Sequence, residues 1–138
     1  MERIIKKVLS ICFVLFCNGL LAFCEEVPVT QVQTNSISTP QNIKLSQCIK
    51  TFCMNYEKLF LLTEAAISAN NFNIEELQSQ GGYIVFSASS YKMLATVMSF
   101  DKNQAIIKIT PCNGNYTFPP IIINNIFKYI ETNQYKKF

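Results

Sequence analysis

Six cysteines and no histidine set the chemical range of this 138-residue chain. Without an imidazole there is no Ser-His or Cys-His couple, so a serine or cysteine nucleophile would need another base or cation to activate it. The carboxylates offer little more. Asp101 is the only aspartate, and it stands beside Lys102 in a run whose turn chemistry accounts for it. Glu75 and Glu76 are neighbours, an arrangement that sends them to opposite faces of a strand. Glu57 and Glu64 fall on the polar side of a helical stretch. A serine-lysine arrangement is available from Ser89, Ser90 and Lys92, yet the same residues suit a hairpin surface. Zinc takes about four Cys or His ligands, commonly with a close C-x2-4-C pair, and Cys48, Cys53 and Cys112 fall short of that set. The sequence therefore predicts no catalytic residue, no metal ligand and no cofactor. It reads as a non-enzymatic protein, with an unfamiliar hydrolase working without histidine as the alternative.

The three remaining cysteines lie in "MERIIKKVLSICFVLFCNGLLAFC". A basic start (Arg3, Lys6, Lys7), an apolar run from Val8 to Phe16 and the breaker Asn18-Gly19 precede small residues, which is the layout of a secretory signal peptide. A retained membrane anchor is the competing reading. The run is broken and short of the roughly 17 to 25 apolar residues that span a bilayer, and Glu25-Glu26 follows it. Residues 1-24 are thus expected to be removed. Leu21, Ala22 and Cys24 of "LAFC" resemble a bacterial lipobox, which implies lipidation of Cys24 and a membrane tether; Phe23 departs from the small residue usual there. Ordinary cleavage after Cys24, between Ala22-Phe23-Cys24 and Glu25, is the preferred reading. A cut after Ala22 would leave Cys24 near the new N-terminus. All three place the protein outside the cytoplasm: periplasmic, envelope-attached or secreted.

Removing 24 residues takes three of the 12 basic and one of the nine acidic side chains, so the mature chain carries a net charge of only +1. It also loses Arg3, the only arginine, and with it the fork that grips phosphates and base edges. Nucleic acid is excluded as a partner on that ground.

The elements that must position any site follow from periodicity. Residues 25-42, "EEVPVTQVQTNSISTPQN", are polar, hold Pro28 and Pro40, and read as a flexible linker. A small α+β domain is expected over 43-138. From Leu45 to Asn70, Leu45, Cys48, Ile49, Phe52, Tyr56, Leu59, Phe60, Ala66 and Ile67 recur at helical spacing and predict one long amphipathic helix. Met54 and Leu61 interrupt its polar side. Four β-type segments follow, Asn73 to Gln78, "YIVFSAS", "YKMLATVMSF" and "AIIKITP", with links short enough to favour an antiparallel meander. Pro119-Pro120 then introduces a C-terminal helix, "IIINNIFKYIETN", apolar at Ile122, Ile123, Ile126, Phe127 and Ile130. In architecture this resembles the small exported α+β modules of bacterial envelopes.

On that frame Cys48 and Cys53 are too far apart around the helix to bond with each other. Cys112 is expected either to form a disulfide with Cys48, on the apolar helix face, or to be buried. Asn115-Tyr116-Thr117 matches the N-glycosylation sequon, which has meaning only in a eukaryotic secretory pathway. Strand alternation turns Tyr83, Val85, Leu94, Met98 and Ile106 to one side of the sheet, with Lys92, Thr96 and Lys108. This is the candidate binding face, for an unknown protein partner, self-association or a small apolar ligand, if both helices cover the other side. In the competing arrangement the second helix crosses over and buries it. N-terminal sequencing of the exported protein is expected to read from Glu25; a lipid-blocked Cys24 establishes the tether, and an intact Met1 defeats export with cleavage.

Overall fold

The period-two alternation of the central strands divides their side chains into an inner and an outer set. In the computed structural model, which describes residues 39-136, the strands are β1 (Gln41–Asn42), β2 (Ile49–Phe52), β3 (Asn73–Gln78), β4 (Tyr83–Ala88), β5 (Tyr91–Ser99), β6 (Ala105–Pro111) and β7 (Thr117–Phe118). Two helices, α1 (Tyr56–Ala69) and α2 (Ile121–Asn133), complete the α+β domain. Strands β2 to β6 form a five-stranded antiparallel sheet in the order β2-β6-β5-β4-β3. β1 and β7 pair separately.

The inner set, Ile84, Phe86, Met93, Ala95, Val97, Ile107 and Ile109, is buried. Against it lie Leu59, Leu62, Ala66 and Ile67 of α1 and Ile122, Ile126 and Ile130 of α2, all buried in one apolar core. Each large aliphatic side chain sealed there contributes about 1.5-3 kcal/mol of transfer free energy. Phe52 of β2 meets Phe127 of α2 edge-on at 6.5 Å between ring centroids. Lys50 lies over both rings and forms an ion pair with Glu131, so α2 is held to the sheet edge by apolar and charged contacts together. The one fully buried polar side chain of α1, Thr63, donates to the carbonyl of Leu59 at 2.7 Å, which removes the cost of burying its hydroxyl.

The single long helix expected over 45-70 is not formed; only its second half is helical. Leu45–Cys48 make a 3₁₀ turn, and Ile49–Phe52 are the edge strand β2, so the sheet has five strands where the sequence predicts four. The helix begins where a cap exists: Asn55 accepts the N–H of Lys58 through its side-chain oxygen at 3.0 Å. As a result Leu45 and Ile49, expected on the buried helix face, are exposed. The C-terminal helix occupies residues 121-133, as its apolar spacing predicts. The ordered pairing starts at Gln41, two residues inside the stretch read as a linker.

The connections carry their own constraints. α1 ends in a Schellman arrangement, with the N–H of Phe72 on the carbonyl of Ile67 and that of Asn71 on Ser68. Asn71 takes the left-handed conformation (φ 56°), which asparagine tolerates. Gly82, between β3 and β4, has φ +70°, and a Cβ there would sit 2.6 Å from the carbonyl oxygen of Val97. The Gly82 carbonyl also accepts the N–H of Val97 at 2.7 Å, so the backbones are held too close for a side chain. Gly82→Ala is expected to lower unfolding free energy by about 2 kcal/mol or more. Denaturant titration of the two proteins measures it.

Candidate functional site

Both helices pack on the inner side of the sheet, and neither crosses to the other side. The outer side carries Tyr83 and Val85 on β4, Lys92, Leu94, Thr96 and Met98 on β5, and Ile106 and Lys108 on β6. Ile49 and Thr51 of β2 extend it. The register sets one row straight across all five strands: Ile49 opposite Lys108, Lys108 opposite Thr96, Thr96 opposite Tyr83, and Tyr83 opposite Gln78. A second row joins Glu76, Val85, Leu94 and Thr110, and a third Met98, Ile106 and Thr51. The five residues predicted to share a face are thus brought together. Tyr83, Val85, Leu94 and Ile106 are half-buried by their strand neighbours, and Met98 is 45% exposed. Phe100, 69% exposed at the β5-β6 turn, lengthens the apolar end.

The polar end has a feature that simple alternation misses. A register shift between Ile74 and Glu76 opens a β-bulge, in which Glu75 is the extra residue. Glu75 and Glu76, expected on opposite sides of a strand, consequently both reach the outer side. Glu75 makes an ion pair with Lys92 at 2.6 Å, and Glu76 accepts the Tyr83 hydroxyl at 2.7 Å. The side-chain hydrogen bond from Lys92 is the main cause holding the Glu75 carboxyl below its ordinary pKa, with Ser87 adding to it. The same bond raises the Lys92 ammonium, and the Glu76 carboxylate raises the Tyr83 phenol. Sequence reasoning found Tyr83 and Lys92 but not their carboxylate partners, because nothing in "NIEELQ" marks where the pleat is broken.

Ser90, Lys92 and Cys112 line a depression of about 370 Å³ with Tyr91, Pro111 and Asn113. A lysine serving as general base needs a lowered pKa, whereas Lys92 is held protonated by Glu75. Among the described residues no three Cys, Asp or Glu side chains lie close enough to share a metal ion. Among the same residues no helix is long and apolar enough to cross a membrane.

Cys48 is buried, whereas Cys53 and Cys112 are exposed, and all three are free thiols. The alternatives expected for Cys112, a bond to Cys48 or burial, are both absent from the structure. The register gives the reason. Ile49 pairs with Lys108, so the chain at Cys48 runs beside Ile109, three residues short of Cys112. That is roughly 10 Å along a strand, beyond the reach of a disulfide. Burial pushes the Cys48 thiol pKa up, Lys108 opposing in part. Asn115 of the sequon is exposed, and its side-chain oxygen accepts the N–H of Thr117 at 3.0 Å. Cys24, the predicted signal peptide and most of the predicted linker lie outside the described residues.

No protein-family model matches this chain, and no curated protein is significantly similar to it.

The Glu75 carboxyl is expected to titrate below the ordinary glutamate value of about 4.3. With a depressed folded-state pKa, its contribution to stability is present above the unfolded value and lost as pH falls through the folded one. A carboxyl-carbon NMR titration should place the Glu75 midpoint below the ordinary glutamate value, and Lys92→Met should move it upward.

Proposed function

We propose that this chain is an exported, non-enzymatic module that holds a protein partner on the outer face of its sheet. One observation carries the reading: both helices serve the inner face, which leaves Tyr83, Val85, Leu94, Met98 and Ile106 as a mixed apolar surface without a covering element among the described residues. Large apolar side chains gathered on one flat face are more than the scattered exposure a folded domain normally shows, and such patches favour association. The polar groups at the rim, Glu75 with Lys92 and Glu76 with Tyr83, are paired already, so a partner meets a face whose charges are balanced. The N-terminal pattern of basic start, apolar run and small residues supports export, and Cys24 supplies a membrane tether if it is lipidated. The hydrolase alternative would rest on the depression around Ser90, Lys92 and Cys112.

The test is a double substitution, Leu94→Asp with Met98→Asp. Leu94 is half-buried and Met98 45% exposed on the central strand, so a loss of about 1-3 kcal/mol without unfolding is expected. Cross-linking in the cells that express the protein should yield a discrete adduct with the wild type and none with the variant. An unchanged adduct sinks the binding reading, and loss of the folded state shows that the face is part of the core.

A further inference from the structure

Resting on that reading of the outer face, we infer that the partner is a second copy of this chain, stacked sheet on sheet about a two-fold axis that runs along β5. Three observations carry it. β5 is the central strand of five, so rotation about it lays the whole outer face of one copy over that of the other. The face carries two lysines, Lys92 and Lys108, and two glutamates, Glu75 and Glu76, so it is neutral and suits its own copy better than a charged partner. These charges are also unevenly placed. Lys108 stands on β6 with no carboxylate partner among the described residues, while both glutamates stand on β3 at the far side.

That asymmetry selects the axis. A two-fold axis along β5 exchanges the β2-β6 side of one copy with the β3-β4 side of the other. Lys108, in the row of Tyr83, then lies over Tyr83 and the neighbouring Glu76 of the second copy. Leu94 and Met98 meet their own counterparts along the axis, and so does Lys92, whose charge Glu75 of the same copy already neutralises, unlike that of Lys108. A two-fold axis across the strands, through the row of Thr96, would instead set Lys108 on Lys108 and the glutamates on their own strand, which like-charge repulsion disfavours. Size sets the strength. Five strands about 4.8 Å apart and roughly six residues long present a footprint of about 400-500 Å². Two copies then bury roughly 800-1,000 Å², at the low end for specific contacts, which calls for a reversible dimer of micromolar affinity.

Sedimentation equilibrium of the full exported chain, from about 1 to 300 μM, tests this. A monomer-dimer equilibrium is expected. Lys108→Glu or Glu76→Lys alone should weaken it about tenfold or more, and the two together should restore it to within about threefold. Within one copy the two residues sit three strands apart, about 14 Å, so the rescue reports a contact between copies. A chain monomeric throughout that range, or a dimer indifferent to both single reversals, overturns the inference. If the chain is monomeric while the adduct in cells is still lost on Leu94→Asp with Met98→Asp, the face binds a different protein; the binding reading stands and the two-fold stacking falls.

Discussion

The domain depends on the burial of a single sheet face. Ile84, Phe86, Met93, Ala95, Val97, Ile107 and Ile109 can be sealed only if both helices lie on the same side. The apolar stripes of α1 and α2 meet this need together, since Leu59, Leu62 and Ile67 on one and Ile122, Ile126 and Ile130 on the other enter the same core. Two-layer packing of this kind consumes every helix the chain has among its described residues. The exposed outer face is therefore a direct consequence of how the inner one is buried. The buried face and the open face thus share one cause.

The charged contacts are arranged to leave that division intact. Lys50 and Glu131 clamp α2 at the β2 edge, with the lysine over the Phe52 and Phe127 rings. On the opposite edge the bulge at Glu75 twists β3 and adds two carboxylates to it. A bulged, charged edge resists pairing with another strand. That edge of the sheet is thereby blunted, whereas the outer face carries no such device.

Much of the fold is legible in the sequence, and the exceptions have a physical origin. The strands β4 to β6 and the helix over 121-133 announce themselves because "YIVFSA" and "AIIKIT" alternate cleanly and "IIINNIFKYI" repeats at three and four. The stretch 45-52 misleads because residues four apart share a side in both structures: once round a helix, or two alternations along a strand. Cys48 and Phe52 are buried together on either reading. What distinguishes the two is Asn55, a capping residue placed too late for a helix that starts at Leu45, together with the β-branched pair Ile49 and Thr51. The carboxylate pair was illegible for a different reason. A bulge depends on strand pairing, and pairing is decided by Val85 and Phe86 on the neighbouring strand rather than by "NIEELQ" itself. For the same reason the separation of Cys48 from Cys112 is a property of register, visible only once β2 is seen to lie against β6.

The small β1-β7 ladder gives the domain a mechanical character. Gln41 and Asn42 are fixed to Phe118 and Thr117, helped by the N–H of Ile43 on the Tyr116 carbonyl and by the Thr117 hydroxyl on Asn42. Tension applied through the chain ahead of Gln41 enters the fold there, beside Pro119-Pro120 and the start of α2. There it meets a few hydrogen bonds backed by the core itself, since Phe118 is fully buried and Ile43, next after the ladder, is buried with it. The ladder thus seats the entry of the chain on the same core that creates the outer face, so that pulling on one loads the other.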